Sequence, residues 1–162
     1  MNLSAKINLE FDRLAGQPNN SLTTRRITID TKVGTLTSNL TAVDGIACAF
    51  EQFTLSTDKL AGASLDHLKQ ISDTLSKRLT YLLEPISPIE TDSEGCTVQL
   101  RSNPPQKDDD GKSYYELLVR RGGELSLCRY THTAAAGRRV IPANVTREVF
   151  HRLASDFTAA VS

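Results

Sequence analysis

The sequence lacks the features that mark several large classes of protein. It contains no apolar run close to the roughly 20 residues that a membrane-spanning helix needs, and Met1–Lys6 has no apolar core of the kind found in signal peptides. Its 19 basic and 19 acidic residues cancel, so the chain has no excess positive charge with which to bind a polyanion. We therefore expect a cytoplasmic protein with no membrane segment, for which nucleic acid is not the main partner.

Cysteines are few, and no catalytic signature is present. Cys48, Cys96 and Cys128 are odd in number and widely spaced, which indicates reduced thiols rather than a disulfide framework. The chain has no G-x-S-x-G, H-E-x-x-H or C-x-x-C motif. The sequence therefore predicts no catalytic residue, no metal ion and no cofactor, and it favours a protein that is not an enzyme.

Two partial motifs meet at Gly111. Gly111-Lys112-Ser113 ends like a phosphate-binding loop, but Gln106 stands where that loop requires a glycine. With Gly111 at the glycine position of an EF-hand loop, Asp108 and Asp110 fall on two ligand positions, but Leu117 stands where the last carboxylate ligand is needed. We interpret 108–111 as a solvated turn.

The clearest structural pattern is a β-hairpin across residues 112–132. Five apolar residues alternate along its two strands: Tyr115, Leu117, Val119, Leu125 and Leu127. A three-residue loop, 121–123, puts all five on one face and pairs Arg120 with Glu124, whereas a two-residue Gly122–Gly123 loop would set Leu125 beside Arg120. We predict the three-residue loop, with one glycine in the left-handed region.

The remaining elements are predicted from the spacing of apolar residues and from the positions of turn-forming residues. Alternation predicts strands at 5–11, 24–30, 35–41, 46–55 and 96–101, with a helix across 40–53 as the competing interpretation. Pro85 and Pro88 confine 86–91 to an edge strand or an extended connector. Asp44-Gly45 is a hairpin turn signal, and a phase slip at Glu51–Gln52 indicates a bulge. Residues 16–21, 102–111 and 132–141 are interpreted as loops or irregular chain.

Two amphipathic helices are predicted. The first begins after Ser64 as N-cap and ends at Glu84-Pro85, and the second begins after Asn144 as N-cap. Apolar residues at steps of three and four form one stripe on each helix. The stripes are Leu65, Leu68, Ile71, Leu75, Leu79 and Leu82, and then Val145, Val149, Leu153, Phe157 and Val161.

These elements predict an α+β fold, an antiparallel β-meander packed against two helices in the order strands-helix-strands-helix. We expect one domain over 1–162, with halves 1–84 and 85–162 sharing one core. A shift that lays Ile71 on Val149 superimposes the two helical stripes, which suggests a weak pseudo-repeat. The order of elements is similar to that of small secretion-chaperone-like domains, and this similarity implies a fold rather than a function.

Charge is distributed unevenly along the chain. Residues 84–110 contain seven acidic and two basic residues, whereas residues 111–152 contain eight basic and three acidic residues. A dipolar surface and unpaired sheet edges favour a module that binds a protein or peptide, or a second copy of itself through a sheet edge.

Two alternatives stay open. The first is a small ligand-binding or hydrolytic domain, with a pocket between sheet and helices lined by the candidate binding residues Arg101, Arg120, Tyr130 and His132. The second is weak binding of single-stranded nucleic acid through an arginine and tyrosine face.

Overall fold

The structure is a computed structural model that describes residues 1–17 and 24–162. The described residues form three α-helices: α1 Leu3–Ala15, α2 Leu65–Arg78 and α3 Arg147–Ala160. They form ten strands: β1 Arg25–Asp30, β2 Thr35–Val43, β3 Ala47–Ser56, β4 Ile86–Asp92, β5 Thr97–Ser102, β6 Gln106–Lys107, β7 Gly111–Arg120, β8 Glu124–Thr133, β9 Gly137–Ile141 and β10 Ala143–Thr146. Short 3-10 helices cover Asp58–Leu60 and Leu79–Leu82.

The strands make one antiparallel sheet in the order β1-β2-β3-β8-β7-β5-β4. β3 pairs with the start of β8, and the two strands then diverge. β9 pairs with the rest of β8 and β10 pairs with the start of β3, so the chain after β8 fills the space between them. The halves 1–84 and 85–162 therefore share one sheet, while the weak repeat between them stays a prediction.

The central hairpin has the predicted register. Arg120 pairs with Glu124 and Val119 with Leu125, which leaves the three-residue loop 121–123. Gly123 has φ of 104°, in the left-handed region. Its carbonyl oxygen accepts a hydrogen bond of 2.7 Å from the Thr57 N–H, so the loop is also tied to the end of β3.

The bulge in β3 is confirmed at Glu51. Leu40 pairs with Phe50 and Asn39 pairs with Gln52, so Glu51 has no partner on β2. The extra residue brings both Phe50 and Phe53 to the core face. The predicted turn at Asp44-Gly45 is also present, because the Asp44 side chain accepts hydrogen bonds from the N–H groups at 46 and 47.

The strand predicted at 5–11 is wrong. This segment belongs to α1, whose N-cap Asn2 accepts a hydrogen bond of 2.8 Å from the Ala5 N–H. The buried residues are Ile7, Phe11 and Leu14 at helical spacing, while Leu9 is 59% exposed. Ile7 and Phe11 fit both a period of two and a period of 3.6, and burial on β1 and β2 selects the helix.

Three predictions for the second half of the chain are corrected. The 132–141 segment is strand at both ends, because β8 runs to Thr133 and β9 begins at Gly137. The N-cap of α3 is Thr146 rather than Asn144, since β10 pairs with β3 before the helix begins. The predicted loop 102–111 contains the short strand β6. The loop predicted at 16–21 falls mostly outside the described residues.

All three helices pack on the same face of the sheet. Leu68, Ile71, Leu75, Leu79 and Leu82 are buried as predicted, although the last two lie in a 3-10 helix. In the described chain, no helix is long and apolar enough to cross a membrane. The helices and one sheet face share a single buried cluster. The opposite sheet face, here called the open face, is packed by none of the three helices.

Candidate functional site

The open face carries polar side chains, because the residues that alternate with the core residues point away from the helices. On β7 these are Tyr114, Glu116 and Leu118, between the core residues Tyr115, Leu117 and Val119. Five side chains from four neighbouring strands meet at the middle of this face. We call them the Arg–Tyr cluster: Arg101, Tyr114, Glu116, Tyr130 and Arg138.

A buried carboxylate organises the Arg–Tyr cluster. The Glu116 side chain is only 6% exposed, and both of its oxygens are engaged. Arg101 Nη2 lies 3.1 Å from Oε2 and Arg138 Nη2 lies 2.8 Å from Oε1, while Gln99 donates a third hydrogen bond of 2.9 Å to Oε2. Two cations share one anion, so the cluster has a local charge of +1.

Two tyrosine rings hold the guanidinium groups. Arg101 lies over the ring of Tyr114 at 4.6 Å, and Arg138 lies over the ring of Tyr130 at 3.7 Å. The two rings are 6.0 Å apart. The arginine side chains stay 31% and 40% exposed, so each is oriented by the cluster but still faces solvent. The result is a fixed pair of cations whose guanidinium groups are partly open to solvent.

The thiol of Cys128, beside the cluster, and the hydroxyl of Tyr130, within it, are not activated as nucleophiles. Burial raises the pKa of the Cys128 thiol and of the Tyr130 hydroxyl, so both stay protonated near neutral pH. A nucleophilic cysteine needs the opposite shift. His132 is four residues from Cys128 on β8, or roughly 13 Å along the strand, which is too far for a base to activate the thiol.

The structure brings together two of the four predicted site residues. Arg101 and Tyr130 belong to the Arg–Tyr cluster. Arg120 lies at the other end of β7, where its guanidinium is 3.5 Å from Glu124. His132 lies near the end of β8, paired with Lys112, so about 27 Å of strand separates it from Arg120. All four lie on the open face and not between sheet and helices.

Two members of the cluster were missed or left uncertain by the sequence reasoning. Glu116 is not among the site residues predicted from the sequence, although a charged residue at the centre of an otherwise apolar strand is a recognisable sign of a functional or structural role. Arg138 and Arg139 fall in a segment predicted to be irregular, so the sequence suggests that they join an arginine patch beside Tyr114 and Tyr130 but does not fix their position. Its place beside Tyr130 depends on β9 pairing with β8, which sets Arg138 opposite His132 and Val140 opposite Tyr130.

A second concave region lies at the end of the sheet, on the side of the helices. We call it the proline-lined groove: its walls include Pro85, Pro104, Pro105 and Pro142, and its volume is about 710 Å³. Its floor holds an ion pair, with Arg129 Nη1 2.8 Å from Glu84 Oε2. Arg129 also donates to Gln106 at 3.0 Å and lies 4.6 Å above the ring of Tyr115.

The floor of the groove contains polar atoms without hydrogen bonds. Glu84 Oε1 and Arg129 Nη1 are buried, and neither has a hydrogen-bond partner. The Nη1–Oε2 contact is therefore an ion pair by distance only, since its N–H is not aligned with the oxygen. Burial of Tyr115 raises the pKa of its hydroxyl, which stays neutral beside the pair.

The turn at 108–111 has a structural explanation. Asp108 Oδ1 accepts hydrogen bonds of 2.9 Å from the N–H groups of Asp110 and Gly111. Among residues 1–17 and 24–162, no three His, Cys, Asp or Glu side chains are grouped to hold a metal ion. The same part of the chain contains all three cysteines, which form no disulfide.

Comparison with protein-family models, curated proteins and solved structures finds no match for this chain. The similarity in element order to secretion-chaperone-like domains therefore stays an expectation about fold.

Proposed function

We propose that the protein is a cytoplasmic, non-enzymatic binding module whose partner is an acidic segment of another protein, held on the open face at the Arg–Tyr cluster. One observation carries the proposal. Arg101 and Arg138 converge on Glu116 from two different strands, and both keep part of their guanidinium groups in solvent. A partner carboxylate that reaches this pair gains charge-assisted hydrogen bonds without first ordering the arginines.

The residue types support a protein partner. Arginine and tyrosine are enriched among the residues that dominate binding energy at protein interfaces. Glu90 and Asp92, on the edge strand β4, lie on the same face opposite Gln99 and Thr97. These carboxylates repel an acidic partner from the β4 side, so its path runs along β8 and β9 instead.

The sheet edges are less suited to binding than the open face. β4 contains Pro88 and has a register shift between Pro88 and Glu90, two features that discourage strand addition. β1 is tied to α1 at both ends, because Lys6 donates to the Asp30 carbonyl and Arg25 donates to the Leu14 carbonyl. Association of two copies of the chain through a sheet edge stays a second, weaker proposal. Of the two edge strands, β1 is the better candidate for this contact.

A matched pair of variants tests the proposal. Arg138→Ala removes one arm of the cluster and leaves Glu116 bonded to Arg101 and Gln99, so the fold is retained. Arg139→Ala removes the same charge from the neighbouring residue, which is exposed and points to the other side of β9. The probe is a fluorescent oligoglutamate peptide, measured by anisotropy at low and high salt.

We expect Arg138→Ala to weaken peptide binding about tenfold, equivalent to about 1.4 kcal/mol, and Arg139→Ala to leave it unchanged. Binding should fall as salt rises. Equal losses in the two variants would indicate non-specific attraction and contradict the proposal. A single-stranded oligothymidylate of equal charge is the comparison, and preference for it would favour the nucleic-acid alternative.

A further inference from the structure

The proline-lined groove has the character of a second binding site, on the opposite side of the sheet from the Arg–Tyr cluster. Its volume of about 710 Å³ lies within the range of sites for small molecules. Its lining combines proline and aliphatic side chains, including Leu82 and Ile141, with polar side chains such as Gln106 and Ser113 and with the ion pair of Glu84 and Arg129. Fixed polar groups beside apolar side chains can orient a small ligand.

On the floor of the groove, one hydrogen-bond acceptor and one neighbouring hydrogen-bond donor have no partner. Glu84 Oε1 accepts no hydrogen bond, and Arg129 Nη1 donates none with good geometry. Leaving such atoms buried and unpaired costs stability, and native structures contain few of them without a functional reason. The Glu84 and Arg129 side chains are 13% and 11% exposed at the groove surface, while Oε1 and Nη1 themselves are buried, so a ligand reaches these two atoms only if both side chains shift toward the groove.

The charge of the floor selects the class of ligand. Glu84 and Arg129 cancel each other, so the burial of an ion beside them would leave a net charge without a counterion. Asp108 also lines the groove, but backbone N–H groups of the turn already engage its Oδ1. A neutral ligand that offers a donor and an acceptor on one edge satisfies both unpaired atoms at once.

We propose that the proline-lined groove binds a small neutral molecule that carries a primary carboxamide. Its NH₂ group donates to Glu84 Oε1, its carbonyl oxygen accepts from Arg129 Nη1, and its apolar part lies against the proline walls. This site is independent of the proposed function of the open face, because the floor residues Tyr115 and Arg129 lie on the core side of β7 and β8.

Three probes of nearly equal size test the ligand class: benzamide, benzoate and benzylamine. Each is titrated into the ¹⁵N-labelled full chain, and amide signals of groove residues such as Leu83, Gln106 and Ser113 are followed by NMR. We expect saturable shifts with benzamide and at least tenfold weaker effects with the two ions. Preference for benzoate or benzylamine would overturn the neutral class, and no shift with any of the three probes would overturn the site itself.

Variants then separate a binding role from a structural one. The double change Glu84→Met with Arg129→Met replaces the ion pair by apolar side chains of similar length. We expect benzamide binding to be lost while the melting temperature stays equal or rises. A lower melting temperature together with unchanged benzamide affinity would assign the pair to stability alone and overturn the proposal.

A substitution that fills the groove provides a second test if the double variant does not fold. Asn144 is exposed and lines the groove, so Asn144→Trp fills the site without touching the ion pair. Thr91→Trp, at an exposed position of β4 outside the groove, is the control. Loss of benzamide binding in the first variant only is the expected result, whereas equal behaviour of the two variants would contradict the site.

Discussion

The two faces of the sheet use the same strands in different ways. On the covered face, β7 and β8 contribute Leu117, Val119, Leu125 and Leu127, all fully buried against the helices. On the open face, the same strands contribute Tyr114, Glu116 and Tyr130, which are held by arginines. The covered face is stabilised by burial of apolar area, and the open face by a small number of directional contacts.

The difference shows where function can be placed without loss of the fold. Each side chain on the covered face touches many neighbours, so a change there alters the packing of a helix. The open face depends on a few ion pairs in which the arginines keep part of their guanidinium groups in solvent, and this exposure reduces what each pair contributes to stability. Residues of the open face can therefore vary while the core stays the same.

The largest expected effect is on the covered face, at Phe150. Its ring lies 4.8 Å from Phe11, 5.0 Å from Phe53 and 6.1 Å from Phe50, and so joins α3 to α1 and β3. We expect Phe150→Ala to lower the free energy of unfolding by about 3–5 kcal/mol in chemical denaturation. Leu9→Ala, at an exposed position of α1, should change it by less than about 0.5 kcal/mol. A small loss at Phe150 would mean that α3 docks through other residues.

The loop that joins β7 to β8 should show the next largest effect. A Cβ at Gly123 would lie 2.5 Å from the Thr57 carbonyl oxygen, and the residue has a left-handed φ. Gly123→Ala should therefore cost about 2 kcal/mol or more. At Gly122 a Cβ meets nothing within 4 Å, so Gly122→Ala is the matched control and should be close to neutral. Similar unfolding midpoints for the two variants would show that the loop does not constrain the hairpin.

A smaller effect is expected within the open face. Glu116→Gln removes the charge that orients Arg101 and Arg138, and it should lower stability by about 1–2 kcal/mol, because both arginines remain partly solvated. Glu124→Gln removes a charge from the exposed pair with Arg120 and should change stability by less than about 0.5 kcal/mol. If the two variants unfold at the same denaturant concentration, Glu116 does not organise the cluster.

The smallest effect concerns thiol reactivity and requires no loss of stability. Cys48 is buried on the covered face, where burial raises its pKa to about 12, while Cys128 is only partly buried on the open face. We expect a thiol reagent to label Cys128 in the native protein and to reach Cys48 only on unfolding, when all three thiols titrate. Mass spectrometry after timed labelling measures the order. Labelling of Cys48 before Cys128 would contradict the assignment of the two faces.

The sequence alone determined the elements that depend on near neighbours. The register of the hairpin at 121–123, the bulge at Glu51, the turn at Asp44 and the helix after Ser64 were all predicted correctly. Each depends on side-chain period or on the chemistry of a turn within about ten residues, and these are local properties of the chain. The same local reasoning failed at 5–11, where two apolar residues fitted both a strand and a helix.

Only the tertiary structure determined which residues are neighbours in space. Arg101, Glu116 and Arg138 are far apart in the sequence, and they meet because β5, β7, β8 and β9 are adjacent in one sheet. β9 and β10 are strands through their pairing with β8 and β3, and nothing in their own alternation indicates it. Glu84 meets Arg129 because the connector after α2 docks on the sheet. Strand order and docking depend on burial of the whole core, so no short stretch of sequence contains them.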